Sequence, residues 1–191
     1  MRLRKLIVLP IALAAAAIAA TYAIRNPERA DLGAAARQGV PGKFITLGDG
    51  VTHYDVAGPD TGRTVVLVHG FSVPYYIWDS TSAHLASAGY RVVRYDEYGR
   101  GLSDRPDVPY VDDLYDRQLV ELLDSLKITD RVDLAGVSMG GAVTSMFAGR
   151  HPQRVRSLIL VDPVAGSGGA MVLVDFGDSR TCFEFRRLAP I

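Results

Sequence analysis

The 191-residue sequence contains a single cysteine, Cys182. One thiol excludes an intramolecular disulfide framework and any zinc site built from several cysteines. Net charge is missing as well, since 21 lysines and arginines balance 21 aspartates and glutamates. Without a basic excess the chain lacks the electrostatic footprint of a nucleic-acid binder. A nucleotide loop is also absent. Gly99-x-Gly101 starts one, but Asp104 stands near the place of a third glycine, and Pro106 and Pro109 follow where a helix would have to open. No spacing implies a metal or another cofactor. What is present is a globular composition: 48% hydrophobic and 22% charged residues, with 19 glycines for tight turns. That balance predicts one domain with a packed core and excludes wholesale disorder.

Something precedes that domain. Arg2, Arg4 and Lys5 come before an uncharged stretch from Leu6 to Ile24, and Arg25 restores charge. Nineteen residues of helix span about 28 Å, close to the thickness of the hydrocarbon core of a bilayer. Ala17-Ile18-Ala19 also reads as a small-x-small cleavage site. Residues 1–24 are therefore expected to be a membrane anchor or a cleaved signal peptide. Either one starts in the cytoplasm and leaves the domain outside it, membrane-anchored or secreted. Residues 25–42 show no sustained period and read as a linker.

Beyond residue 43 the pattern alternates. Lys43–Leu47 and Val51–Val56 are short β-type runs around Gly48-Asp49-Gly50, a hairpin signal. Thr64–Val68 is a continuous apolar run, as expected of a strand buried on both faces. Further strands are predicted over 91–95, 131–137 and 155–161, and helices over 80–88, 112–126 and 139–150. In the second helix Leu119, Leu122, Leu123 and Leu126 fall at i, i+3, i+4 and i+7. A hairpin followed by β-α-β-α-β-α-β predicts an α/β fold: a mostly parallel sheet with helices on both faces.

Gly136-Val137-Ser138-Met139-Gly140 matches G-x-S-x-G between a predicted strand and a predicted helix, which is the context this motif requires. A sharp strand-to-helix turn holds the serine in a strained conformation. The glycines on either side let neighbouring backbone pass closely. Ser138 would project over the carboxyl end of the sheet, at a helix N-terminus that favours developing negative charge. His69-Gly70-Phe71-Ser72 follows the third strand, and Asp96 to Ser103 follows the fourth as a turn bordering the same region.

Together these segments resemble the α/β-hydrolase superfamily. The matching pieces are V-L-V-H-G-F-S at 66–72, Y-D-E-Y-G-R-G-L-S-D at 95–104, G-V-S-M-G-G at 136–141 and L-I-L-V-D-P at 158–163. The resemblance covers about residues 43–165, the first six strands of that fold. It looks like the branch of capped small-molecule hydrolases: esterases, monoacylglycerol lipases and carbon–carbon bond hydrolases. It implies that Ser138 attacks an ester or related carbonyl of a small acyl substrate, forming an acyl-enzyme that water hydrolyses. It implies an oxyanion hole from the backbone amides of Phe71 and Met139, with His69, Gly70, Gly136 and Gly140 in supporting turns. Asp162, after the sixth strand, is the weak candidate for the acid.

The resemblance then stops. Such folds place the triad in the order serine, acid, histidine, yet the 28 residues after Pro163 contain no histidine. Of His53, His69, His84 and His151, only the last follows Ser138. It is 13 residues on, about 20 Å along a continuous helix. Removing a triad histidine costs on the order of 10⁶ in kcat, so this polypeptide is expected to have little activity alone. The sixth strand is expected to be an exposed apolar edge suited to self-association. The tail over 166–191 is atypical, with one short strand possible over 171–176. A truncated chain explains this pattern best. Two readings result: a serine hydrolase with an incomplete triad, or a non-catalytic remnant that binds an acyl ligand or a partner through the bare edge.

Overall fold

The structure, a computed structural model, describes residues 2–25, 32–163, 171–175 and 184–187, with side chains over 10–25 and 32–163. Cys182 lies outside the described residues. The chain divides into two compact units, Met1–Gly39 and Val40–Ile191.

The first unit holds helix α1 (Arg2–Arg25), which runs through Pro10. Its Ile11, Leu13, Ile18 and Ile24 are exposed. Among the described residues no helix is long and apolar enough to cross a membrane. The membrane anchor expected over 6–24 therefore finds no support. The stretch is rich in alanine, whose small side chain withdraws little apolar surface from water. Within the expected linker, Ala34–Arg37 forms a short 3-10 turn.

The second unit is built on one sheet. Its elements in chain order are β1 (Lys43–Leu47), β2 (Gly50–Ala57), β3 (Thr64–Val68), α2 (Asp79–Ser87), β4 (Arg91–Tyr95), α3 (Asp112–Ser125), β5 (Val132–Val137), α4 (Met139–Arg150), β6 (Val155–Val161), β7 (Met171–Asp175) and β8 (Glu184–Arg187). Each predicted strand and helix up to residue 161 is present, with ends within one residue or so of the sequence expectation. The sheet order is β1-β2-β4-β3-β5-β6-β7-β8. Pairing is parallel at the centre, between β4, β3, β5 and β6, and antiparallel at both flanks. The α/β class is as expected, and the sheet is mixed at its flanks.

Strand β3 explains why its sequence is apolar throughout. Successive side chains of a strand point to opposite faces. Val66 and Val68 face a layer formed by Leu119, Leu122 and Leu123 of α3 with Val143 and Phe147 of α4. Val65 and Leu67 face the other side, where Trp78, Leu85 and Ala86 cover them. Both faces are closed, so neither can be polar. The leucine stripe of α3 lies entirely in the first layer, and three of its members are fully buried.

The tail differs from expectation. β7 is present over nearly the predicted residues, and it pairs antiparallel with β6 from Ser157↔Asp175 to Val161↔Met171. The expectation of an exposed β6 edge is thereby corrected, because the ladder groups of β6 are occupied on both sides. β8 then adds to β7. Four residues are too few to display an alternation, so β8 was not legible beforehand.

Candidate active site

The predicted site residues gather at the carboxyl ends of β3, β5 and β6: His69, Gly70 and Phe71 follow β3, Gly136 lies near the end of β5, Met139 and Gly140 open α4, and Asp162 follows β6. Ser138 joins β5 to α4 with φ 52° and ψ −117°. Only three described non-glycine residues have positive φ: Lys127, Ser138 and Asp162. Such a conformation costs on the order of 1–3 kcal/mol and persists only where the surroundings enforce it. Here the Ser138 N–H donates to Val161 O at 3.0 Å, and Gly141 N–H donates back to Ser138 O at 3.0 Å. The turn is pinned from the neighbouring strand and from its own helix.

The two motif glycines are sterically required. A Cβ on Gly136 would fall on the Gly140 carbonyl, and one on Gly140 would fall on the carbonyls of Val68 and His69. The first turn of α4 therefore packs directly on the end of β3. That packing brings the 69–71 loop to the serine. A Cβ built on Gly70 would lie 3.3 Å from Ser138 Cβ and 3.9 Å from its Oγ.

His69 orients that loop. It is fully buried, and its Nε2 accepts the Glu97 N–H at 2.9 Å. The other nitrogen, Nδ1, therefore carries the proton and donates to Gly70 O at 2.7 Å. Burial lowers the His69 pKa, which favours this neutral tautomer. The peptide between Gly70 and Phe71 is trans, so its N–H points opposite to its carbonyl. Turning the Gly70 carbonyl toward His69 thus turns the Phe71 N–H away from the imidazole. Met139 is the first residue of α4, and amides of a first helical turn have no intrahelical acceptor. Both expected oxyanion donors sit in the segments that flank Ser138.

Asp162 lies one residue beyond Val161, which pairs with Val137. It is exposed and left-handed, with φ 44°. Ser138 and Asp162 thus each stand one step past adjacent, paired strand ends. The four histidines are all engaged elsewhere. His53 is buried against Asp96, with Nδ1 to Oδ2 at 2.8 Å. His69 supports the loop as described. His84 is exposed, with Nδ1 2.7 Å from Ser80 O. His151 closes the far end of α4, with Nε2 3.1 Å from Asp116 and its ring 4.7 Å from that of Phe147.

Two residues here were not singled out beforehand. Glu97 is fully buried beneath the 69–71 loop, and neither carboxyl oxygen has a hydrogen-bond partner among the described residues. Burial pushes its pKa up to about 8. It lies 3.9 Å from His69 Nδ1, but the two do not form an ion pair, since burial keeps both neutral. The second is Arg100. Its Nε donates to Phe71 O at 3.3 Å, and its guanidinium stacks 4.7 Å over the Phe71 ring. The only hint in the sequence was chemical: a charge set between Gly99 and Gly101, and a second acid next to Asp96 at a strand end.

Asp96 organises the surrounding turn. Its carboxylate accepts the N–H groups of Tyr75 at 2.8 Å and Leu102 at 2.9 Å, besides the His53 contact. A Cβ on Gly101 would strike that carboxylate. The segment from Asp96 to Ser103 is thus a tightly bonded turn.

The model of the alpha/beta hydrolase fold matches residues 63–189. Among similar curated proteins are a non-heme chloroperoxidase of Streptomyces lividans, 32% identical over 63% of this chain and 44% of that protein, and a 2-hydroxy-6-oxononadienedioate/2-hydroxy-6-oxononatrienedioate hydrolase of Cupriavidus pinatubonensis, 38% identical over 66% of this chain and 45% of that protein. Among solved structures, naproxen esterase of Bacillus subtilis has a TM-score of 0.60 at 28% identity, covering 64% of this chain and 42% of that one. The chain spans less than half the length of the curated relatives it matches.

Proposed function

The chain belongs to the α/β-hydrolase fold family, and from that premise we propose that Ser138 is the nucleophile of an esterase-like serine hydrolase. In this reading Ser138 Oγ attacks an ester carbonyl, and the Phe71 and Met139 amides donate to the oxygen that becomes negative. The carbon–oxygen bond to the leaving alcohol breaks as the alcohol takes the serine proton. Water then adds to the acyl-enzyme and releases the acid. Asp162 is the acid candidate of this scheme, by its position one step past the strand next to β5.

One observation carries the reading: a serine held at φ 52° between two sterically required glycines, with the Gly70 peptide against its side chain. The histidines of this chain all have other partners, so acylation here lacks its base and is slow. A fluorophosphonate probe tests the proposal. Slow labelling of Ser138, abolished in Ser138→Ala, is the expected result. A folded protein that stays unlabelled favours the second reading, a non-catalytic binder of acyl ligands, which the engagement of all four histidines supports.

The N-terminal segment is proposed to export the domain from the cytoplasm. Arg2, Arg4 and Lys5 before an uncharged run, with Ala17-Ile18-Ala19 at its end, support this. Mass spectrometry of secreted protein is expected to find a chain starting at Ala20; an intact Met1 in the exported protein would refute cleavage.

A further inference from the structure

Resting on the reading of Ser138 as the acylated residue, we propose that Arg100 is the anchor for a negatively charged group on the substrate, so that the site takes acyl compounds that carry a carboxylate. Arg100 projects from the turn after β4 and reaches the two segments that would supply the oxyanion donors. Besides Phe71 O, it donates from one terminal nitrogen to Tyr98 O at 3.2 Å and to the Tyr115 hydroxyl at 2.7 Å. Its other terminal nitrogen lies 3.7 Å from Met139 Sδ. The guanidinium is therefore fixed in place, between the 69–71 loop and the first residue of α4.

Every one of these acceptors is neutral. Among the described residues Arg100 has no carboxylate partner, whereas Arg63, Arg94, Arg117, Arg150 and Arg154 each pair with an aspartate. Glu97, three residues before Arg100, is buried and its pKa of about 8 keeps it largely protonated at neutral pH, so it does not neutralise the cation. A purely structural clamp would satisfy its donors. This one leaves the terminal nitrogen facing Met139 with only a thioether, which is a weak acceptor. Those N–H groups stand beside the residue whose amide would bind the oxyanion. A carboxylate entering with the acyl group would accept from them in a charge-assisted bond, which is roughly twice as strong as a neutral one. The rings of Phe71 and Tyr110 are exposed, the first under the guanidinium and the second against Gly99, so the linker between carboxylate and carbonyl meets apolar surface.

The test is equilibrium binding to the full chain, measured by ligand-observed NMR with monomethyl adipate and dimethyl adipate. The half-ester is expected to bind about tenfold more tightly at low salt, a difference of about 1.4 kcal/mol. In Arg100→Met that ratio falls to about one, and in Arg100→Lys it stays above one because the charge is retained. Equal affinities in the wild type, no binding of either ester, or a ratio that survives in Arg100→Met would each overturn the proposal. Should Arg100→Met fail to fold, a salt titration of the wild type decides. The half-ester preference must shrink as ionic strength rises, and a salt-independent preference overturns it. Ser138→Ala keeps the preference, so a failed nucleophile shows as lost labelling with the preference intact, and a failed anchor shows as the reverse.

Discussion

The two ends of β5 treat charge in opposite ways. At its start, buried Asp133 accepts from the Arg63 side chain and, at 2.6 Å, from the Ser157 hydroxyl, with Arg156 3.6 Å away. Both carboxylate oxygens of Asp133 thus accept hydrogen bonds from neighbouring segments. At its other end Ser138 is strained, and among the described residues Glu97 has two buried oxygens without hydrogen-bond partners and Arg100 has no carboxylate partner. The buried acid beside one end of the strand is thus bonded at both oxygens, and the buried acid beside the other end at neither. Unmet bonding capacity is expensive in a buried place. A buried acid without a hydrogen-bond partner among the described residues, close to a strained serine, marks that end as the place where a further molecule completes the bonding.

The contrast can be broken at several points. The largest effect is expected from Glu97. Its carboxyl has a folded-state pKa of about 8 against 4.5 when free, so the folded state holds a proton that the unfolded state releases. The stabilisation from this group is complete below about pH 4.5 and declines as pH rises through about 8. On the order of 4 kcal/mol is lost between pH 5 and pH 8, at about 1.4 kcal/mol for each pKa unit. Glu97→Gln cannot ionise, so in urea unfolding this decline is expected to vanish, leaving the gain in stability with pH below about 6.5 that comes from His69, whose pKa burial lowers. Wild-type and Glu97→Gln profiles that run parallel would contradict the buried acid.

A smaller loss is expected at the satisfied end. Asp133→Asn removes the charge that holds Arg63, whose side chain is about half exposed, and should lower stability by about 2 kcal/mol without altering Ser138 labelling. A change in labelling with unchanged stability would erase the division of roles between the two ends. The smallest effect is expected at Gly70→Ala, where the added methyl meets Ser138 Cβ at 3.3 Å. Small displacements of a reacting group are costly in rate. Labelling should slow about tenfold while the melting temperature hardly moves; unchanged labelling would mean that the loop yields freely.

Legibility in the sequence followed the range of the interactions. The β3 run Thr64–Val68 and the α3 leucine stripe announced themselves, because burial on two faces or on one stripe imposes a period on the side chains. Ser138 was legible because the elbow needs glycines at fixed offsets on either side. Glu97 and Arg100 carry no such local signature. The covering of β6 by β7 was missed for a related reason: antiparallel addition is made by backbone groups, which any sequence possesses, and the short strand β8 has too few residues for a pattern. His69 was assigned to loop support from its place after β3, whereas the two bonds that set its tautomer come from residues on different loops.

The amino-acid order alone determined the succession of strands and helices, the position of the serine elbow and the scarcity of histidine, because each depends on residue type and short spacing. Which acid is buried without a partner, which arginine is left without a counter-ion and which strand becomes an edge were decided only in three dimensions. Those properties depend on what segments distant in the chain bring alongside one another, and desolvation is the sum of all of them.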